Sequence, residues 1–425
     1  MENKINLFIP IEIKRRDFPS RALLALEASN SNFNVFIGRK LEVDRLVFRK
    51  KPGIYFGLVT TQAYSNFYKK LRKYGHIIFV NDEEGLVTFS DQMYFNLKVS
   101  NNTLQYINLL FLWSKTHKEM FERKFPKYNK FKVSGSPRFD LSKSGYIGIF
   151  DNDRKIIYSK YKKYILICCS FSFNNYFEKN INYLDILRKQ KVIRNHTDEK
   201  KYLKYLKYNK EALNQFLDAI PILSKSFPDL DIIIRPHPSE NNKIYLDISN
   251  NYHNVYVESR FSIHSWILNS MCIVHNYCTS SAEALSLNIP RFALRKSFDN
   301  EVHKSIPYEI SDICENVNSL VLKIKKLKDK NEYRNNNNDI MNFKKYLHNI
   351  DQETFAYKII IESIKKYLNK KNKIKINYII FFYLKLVFLI KSLKRYFLNY
   401  KTINNSYIKH KVDKIDKKDI LDLFK

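Results

Sequence analysis

The sequence predicts an α/β protein made of two doubly wound halves, each built on a mostly parallel sheet. Short apolar runs of strand length alternate along the chain with longer helical segments, an order typical of parallel sheets with crossover helices. The alternation is interrupted between residues 141 and 160, where Gly145, Gly148 and a polar cluster predict a linker. The chain of 425 residues is long enough for two or three domains with their own cores.

The first half opens with a strand, a loop and a helix. The apolar run 5–11 predicts a strand, the charged segment 14–20 a loop, and 22–28 the start of a helix. Further strands are predicted at 35–37, 53–60, 76–80 and 109–113.

The second half repeats this organisation. Strands are predicted at 164–169, 231–234, 255–257 and 271–274, and helices at 200–225 and 280–287. The asparagine run at 335–338 predicts a loop or linker. We therefore expect domains at 1–145 and 146–345, followed by helices and a basic tail at 346–425.

The composition limits the partners and the compartment. A formal net charge of +32 calls for nucleic acid, an anionic membrane face or an anionic substrate. The charge is spread along the chain without a nucleic-acid motif, so nucleic acid is not expected. Five cysteines without regular or zinc-ligand spacing indicate a reducing compartment and no metal. The N-terminal apolar run is too short for a signal peptide, which predicts a cytoplasmic protein.

The aromatic and aliphatic stretch at 376–397 is flanked by Lys and Arg and broken by Lys385. It is too short and too charged to predict a membrane span. It is typical of an interfacial helix on an anionic leaflet, which would place the protein on the inner face of the cytoplasmic membrane. The alternative is a core helix with solvated ends.

The motif Arg235-Pro236-His237-Pro238 follows the predicted strand 231–234. Two prolines stiffen the loop, and ligands of α/β domains bind at the carboxyl ends of strands. We expect His237 to meet a phosphate and to protonate a leaving group, with Arg235 and Pro238 beside it. The alternative is a structural histidine.

A second motif, HNYCTSSAEAL at 275–285, leads from a strand into a helix. The hydroxyls of Thr279, Ser280 and Ser281 and the first N–H groups would suit a phosphate, with Glu283 nearby. The alternative is a capping box formed by Ser280 and Glu283. No glycine follows Gly148, so the second half contains no glycine-rich phosphate loop.

The third motif is acidic. Asp82, Glu83 and Glu84 follow a predicted strand and precede Gly85. Carboxylates packed together can raise the pKa of one of them, which would suit a general base. The alternative is a solvated acidic turn.

The order of these motifs resembles bacterial sialyltransferases and polysialyltransferases, which carry an acidic pair with glycine, an HP motif and an S/T motif. The match consists of Glu83-Glu84-Gly85, His237-Pro238 and Ser280-Ser281. The Kdo transferases of capsule and lipopolysaccharide assembly are similar. RALLALEASNSNFNVFIGRK, VSGSPRFD and SSAEALSLNIP resemble the broader surface carbohydrate (surface polysaccharide) biosynthesis family. The resemblance covers roughly residues 6–295.

The resemblance implies a GT-B fold, with two Rossmann-like domains facing a cleft, and an inverting glycosyltransferase that needs no metal or cofactor. It implies a CMP-activated ulosonic acid as donor and a glycan or glycolipid as acceptor. Glu84, or else Glu83, would be the base, and His237, Ser280 and Ser281 would bind the CMP phosphate. The family usually has Asp in the acidic pair, where this chain has Glu-Glu after Asp82. Arg21 is a further candidate to line the cleft.

Two other functions remain open at this point. A CDP-glycerol or CDP-ribitol phosphotransferase uses the same scaffold with similar histidines. A protein of another class would bind a membrane or nucleic acid without catalysis.

Overall fold

The computed structural model describes residues 4–82, 85, 91–161, 163–178, 182–189, 192–296, 305–330, 340, 343–371 and 415. The chain divides into two compact units. The first comprises the described residues of Met1–Glu83, Lys98–Leu141 and Lys344–Lys425, and the second those of Glu84–Leu97 and Ser142–Phe343.

The first unit is built on a six-stranded parallel sheet of order β2-β1-β3-β4-β5-β6. Its strands are β1 (Ile5–Ile11), β2 (Phe33–Arg39), β3 (Ile54–Gly57), β4 (Ile77–Asn81), β5 (Leu109–Leu112) and β6 (Phe131–Val133). The helices up to residue 141 are α1 (Lys14–Asn30), α2 (Lys40–Leu46), α3 (Ser65–Lys73), α4 (Asp91–Lys98), α5 (Asn101–Leu104), α6 (Lys115–Lys124) and α7 (Pro137–Asp140). All of them belong to the first unit except α4, which belongs to the second up to Leu97. A 3₁₀ turn precedes α3 at Gln62–Tyr64.

The second unit repeats the architecture with strand order β12-β11-β10-β7-β8-β9, again all parallel. Its strands are β7 (Tyr164–Cys168), β8 (Asp231–Arg235), β9 (Val255–Val257), β10 (Ser270–His275), β11 (Arg291–Leu294) and β12 (Asp312–Cys314). Its helices are α8 (Asp151–Lys160), α9 (Tyr183–Lys189), α10 (His196–Ser226), α11 (Lys243–Ser249), α12 (Ile263–Ile267), α13 (Ser280–Ser286), α14 (Ile306–Glu309) and α15 (Val317–Lys330). The helix α16 (Ala356–Lys371) that follows them belongs to the first unit. The prediction of two doubly wound halves is confirmed.

Strand β8 shows how the second sheet is buried on both faces. Ile232 and Ile234 pack into one apolar cluster, and Ile233 packs into another on the opposite face. Successive residues of a strand point to opposite faces, and each buried isoleucine contributes about 1.5–3 kcal/mol. The strand is therefore packed on both faces up to the point where the His237 loop begins.

Two predictions about local structure are wrong. The charged segment 14–20 lies within α1 and is not a loop. The buried Asp17 carboxylate accepts a hydrogen bond from the Ile13 N–H at 2.9 Å, and Phe18 packs beside Ile11. The Asp17 carboxylate therefore caps the start of α1.

The segment 141–160 is not a linker either. It contains the 3₁₀ helix Ile147–Phe150 followed by α8. The Phe150 ring stacks on His264 with centroids 5.1 Å apart, and Asp153 accepts a hydrogen bond from the Ser265 hydroxyl at 3.0 Å. These contacts incorporate the segment into the second unit.

The SGSPRFD motif, which includes α7, contacts helix α16 inside the first unit. The buried Asp140 carboxylate accepts hydrogen bonds from the N–H groups of Ala356 and Tyr357, at 3.1 and 3.0 Å, and so caps α16. Asn349 donates to the same carboxylate at 2.7 Å. Gly135, at φ +82°, leaves room for the Asn349 side chain. The glycine and the aspartate of the motif therefore have structural roles.

The predicted interfacial helix at 376–397 lies outside the described residues. Among the described residues, no helix combines the length and the apolar character needed to cross a membrane.

Candidate functional site

Three adjacent strands of the second sheet bring the HP and S/T motifs to the same edge. His275 of β10, Cys168 of β7 and Arg235 of β8 are paired in one row across the sheet. Because the strands are parallel, the loops after these residues all leave from the carboxyl edge, where α/β domains bind ligands. The residues predicted to act in the second half follow two of these strands.

His237 is half-buried, and its orientation is set by two neighbours. The Ser239 N–H donates to the imidazole Nδ1 at 3.2 Å, and the Ser172 hydroxyl lies 2.9 Å from the same nitrogen. A backbone N–H can only donate, so Nδ1 must be unprotonated when this bond forms. The neutral ring therefore carries its proton on Nε2.

Glu240, three residues after His237, is a buried carboxyl group that sequence reasoning missed. It accepts hydrogen bonds from the Phe171 N–H and, at 2.6 Å, from the Tyr245 hydroxyl. Burial raises the pKa of Glu240 to about 7, although hydrogen bonds from Tyr245 and Phe171 oppose the rise. The sequence does show an acidic residue three positions after His237. It does not show that this residue is buried, because acidic residues in loops are usually exposed to solvent.

Arg235 does not share the surroundings of His237. Its guanidinium donates to the backbone oxygens of Arg260 and Phe261, at 2.8 and 2.6 Å, and lies over the Trp266 ring. As the last residue of β8 it points to the same sheet face as Ile233. Arg235 thus stabilises the strand end, and its contact with a ligand stays a prediction.

The capping box expected at α13 is not formed. The N-cap residue is Thr279, whose side chain makes no capping hydrogen bond, and Ser280 is already the first helical residue. The Ser281 hydroxyl donates to the Cys278 carbonyl at 2.9 Å, and the Ser280 hydroxyl lies 3.0 Å from the Cys278 sulfur. Thr279 is half-buried, whereas Ser280, Ser281 and Glu283 are buried. The alternative interpretation, a capping box formed by Ser280 and Glu283, is therefore not supported.

A tyrosine pair supports the loop after β7, and this too was missed. The Tyr277 hydroxyl donates to the Ser170 carbonyl at 2.8 Å, and it accepts hydrogen bonds from Tyr205 and from Asn209. All of these groups except Ser170 are buried. The network fixes the backbone two residues before Ser172. Long-range pairs of this kind leave no periodic signal in a sequence.

The acidic motif is only partly described. Asp82 is buried at the end of β4, and its carbonyl accepts the indole N–H of Trp113 at 2.5 Å. Gly85 lies in a turn. Glu83 and Glu84, the predicted bases, lie outside the described residues.

Arg21 is fully buried on α1 in the first unit. Its guanidinium donates to the Phe56 carbonyl at 3.1 Å and lies over the Phe56 ring. These contacts are internal to the first unit, and the expected ligand contact of Arg21 stays a prediction.

No group of three or more His, Cys, Asp and Glu side chains that could hold a metal ion occurs in the described part of the chain.

No protein-family model matches this chain, and no curated protein matches it. Solved structures do match. The UDP-GlcNAc 2-epimerase of Methanocaldococcus jannaschii, in complex with UDP-GlcNAc and UDP, has a TM-score of 0.55 at 15% identity over 86% of this chain and 100% of its own. The UDP co-structure of MnaA from S. aureus has a TM-score of 0.53 at 15% identity, covering 88% and 98%.

The wall teichoic acid polymerase TagF has a TM-score of 0.55 at 15% identity over 87% of this chain and 90% of its own. Another structure of TagF was obtained with CDPG. Likeness at such low identity concerns the fold alone. The fold is of the GT-B type. The predicted fold class is therefore confirmed.

Proposed function

We propose that this protein is a glycosyltransferase-like enzyme of surface glycan assembly that uses a nucleotide-activated donor, and that His237 binds the donor phosphate. The observation that carries the proposal is the His237 imidazole, held through Nδ1 at the carboxyl edge of the second sheet. An imidazole fixed in this way keeps its other nitrogen in a constant direction. Such preorganisation is what electrostatic catalysis requires.

In the proposed reaction, the acceptor hydroxyl attacks the anomeric carbon of the donor and loses its proton to a carboxylate. The bond between the anomeric carbon and the phosphate oxygen breaks, and its electron pair stays on the phosphate. The Nε2–H of His237 donates a hydrogen bond to that phosphate as its charge grows, or protonates it. The transfer inverts the anomeric configuration.

The S/T motif contributes a second contact with the donor in this proposal. The ends of β8 and β10 are separated by β7, which places them roughly 10 Å apart. A single phosphate group is too small to reach both strand ends unless side chains converge on it. A nucleotide with its ribose is long enough to reach both. We therefore expect Thr279 and Ser280 to contact the nucleotide beyond the phosphate that meets His237, with Ser281 and Glu283 supporting the turn.

The base is proposed to come from the acidic motif. Glu84, or else Glu83, would take the proton of the acceptor hydroxyl, with Asp82 and Gly85 shaping the turn around it. A surface glycan or glycolipid is the acceptor, and the tail after residue 372 would hold the protein at an anionic membrane face.

The order of the motifs favours a CMP-activated ulosonic acid, such as Kdo or a sialic acid, as donor. The second candidate is a CDP-polyol, with transfer of the polyol phosphate. It is supported by the likeness to TagF, which was also solved with CDPG. CMP leaves in both reactions. With a CMP-sugar the bond between the anomeric carbon and the phosphate oxygen breaks, whereas with a CDP-polyol the P–O bond within the diphosphate breaks and the polyol phosphate passes to the acceptor hydroxyl.

Donor consumption tests the proposal. Purified full-length protein is incubated with CMP-Kdo, CMP-sialic acid or CDP-glycerol, and release of CMP is followed with and without a glycan acceptor. We expect one donor to be consumed, and we expect His237→Ala and Glu84→Gln each to lower the rate at least 100-fold. Rates that neither substitution changes would overturn both assignments.

A matched control is available for His237. His253 is an exposed histidine of the same unit, located before β9. His253→Ala should leave donor consumption unchanged.

A further inference from the structure

We propose that Glu240 is a positioning residue for His237, and that it fixes the imidazole by joining the loops that follow β7 and β8. The inference rests on the proposed role of His237 for its catalytic meaning. The geometry on which it stands belongs entirely to the second unit.

Glu240 is connected to both loops at once. Its carboxylate accepts the Phe171 N–H from the loop after β7. Its own backbone N–H donates to the His237 carbonyl at 2.9 Å and closes the turn 237–240 after β8. One buried residue thus holds the neighbouring loops in a fixed relation.

The two contacts of the imidazole depend on this relation. Ser172 follows Phe171 directly. Because the Phe171 N–H is bound by Glu240, the backbone position of Ser172 is restrained, and with it the place where the Ser172 hydroxyl contacts Nδ1. The second contact, the Ser239 N–H, belongs to the turn that Glu240 closes. Loss of the Glu240 carboxylate should therefore disturb the contact from Ser172 more than the contact from Ser239.

Other bonds keep the two loops together, so removal of the carboxylate need not unfold the unit. The Phe177 N–H donates to the Ser239 carbonyl at 3.0 Å, and the Asn241 N–H donates to the Asn175 carbonyl at 3.0 Å. The other carboxylate oxygen is bound by Tyr245 of α11. The substitution should loosen the placement of Ser172 without separating the loops.

Burial of the Glu240 carboxyl group between the two loops costs free energy. Buried ionisable groups often stabilise a fold less than apolar residues of similar volume, and their best-attested use is to specify one arrangement. The arrangement specified here is the neutral His237 ring with its proton on Nε2.

The test reads the protonation of the imidazole nitrogens directly. The full chain is labelled with ¹⁵N-histidine, and solid-state NMR spectra are recorded near pH 8. The chain has ten histidines, and the signals of His237 are assigned by their loss in His237→Ala. The wild type should show the Nε2–H form of His237.

In Glu240→Ala the ratio of the Nε2–H to the Nδ1–H form should fall roughly five- to tenfold, which corresponds to one weakened hydrogen bond. Glu240→Gln should keep the wild-type ratio, because its amide oxygen can accept the Phe171 N–H while its NH₂ donates to the Tyr245 oxygen. An unchanged ratio in Glu240→Ala would overturn the inference.

The matched control is Glu258, a partly buried carboxylate of the same unit that accepts the Tyr161 hydroxyl at 2.7 Å and pairs with Lys160. Glu258→Ala should leave the His237 ratio unchanged. The same fall in both alanine variants would mean general loosening and would also overturn the inference. The spectra need no substrate, so a protein that consumes none of the donors would contradict the proposed function and leave this test intact.

Discussion

The Ser172 hydroxyl lies 2.9 Å from Nδ1 of His237, although the two residues follow different strands. This contact can orient the His237 side chain only if the backbone of both loops is fixed in position. The tyrosine network at Ser170 and the Glu240 carboxylate provide this restraint on the loop after β7.

Removal of the Ser172 hydroxyl should lower turnover more than donor affinity. In Ser172→Ala the Ser239 N–H still contacts Nδ1, so the Nε2–H form still predominates, but the ring loses one restraint. One lost hydrogen bond of about 1 kcal/mol predicts a roughly three- to tenfold fall in kcat with little change in KM. Steady-state kinetics with the consumed donor measures both constants. Ser159→Ala, which removes a surface hydroxyl of α8, should change neither, and a fall confined to KM would contradict the account.

The stability of the protein should depend on pH through Glu240. Its pKa is about 7 in the folded protein and 4.5 in the unfolded chain. Between these values the folded state holds one proton more, so the free energy of unfolding falls as pH rises through this window. The gap between the two pKa values corresponds to about 3 kcal/mol once pH exceeds 7.

Glu240→Gln removes this dependence. Relative to wild type, the variant should gain up to about 3 kcal/mol of unfolding free energy between pH 5 and pH 8, measured by urea denaturation at each pH. Glu258 is the control with the opposite sign: burial raises its pKa, but Lys160 and Tyr161 outweigh this and lower it. A gain that appears in Glu258→Gln instead would contradict the assignment.

Gly135 should not tolerate a side chain. A β-carbon there would come within 2.0 Å of the Asn349 Oδ1, and φ is +82°. Gly135→Ala should therefore lower the free energy of unfolding by more than about 2 kcal/mol. Gly145→Ala is the control, since nothing lies within 4 Å of its added carbon. Equal stability of the two variants would contradict the close packing of Asn349.

Loss of the Asp140 charge should weaken the start of α16. The carboxylate caps the helix through Ala356 and Tyr357, and bonds to a charged acceptor contribute about 1.5–3 kcal/mol each. Asp140→Asn should cost roughly 2–4 kcal/mol and speed hydrogen exchange at the first amides of α16. The surface variant Asp247→Asn should do neither. Unchanged exchange at Ala356 in Asp140→Asn would contradict the capping role.

Much of the architecture could be predicted because buried parallel strands are continuous apolar runs. The β8 run Asp231–Arg235 and the prolines after it were sufficient to place His237 at the carboxyl edge of a strand. Segment 14–20 does not follow the rule that charged segments are solvated loops, because Asp17 is buried and accepts the Ile13 N–H at the start of α1.

The supports of the site could not be predicted in the same way. Glu240 contacts Phe171, 69 residues earlier in the chain, and Tyr277 contacts Ser170 across 107 residues. Such pairs arise only when the strand order β10-β7-β8 is known. The orientation of Arg235 could not be predicted either, because His237 lies only two residues later while the Arg235 side chain faces Trp266.

The central claim is that His237 binds a nucleotide phosphate, and thermal unfolding with CMP, CDP and UDP tests it most directly. A ligand at about 100 times its Kd adds roughly 2.7 kcal/mol of stability. We predict that a cytidine nucleotide stabilises the wild type and His253→Ala equally, and that His237→Ala loses most of this gain. Equal stabilisation of all three proteins, or stabilisation of none, would contradict the claim.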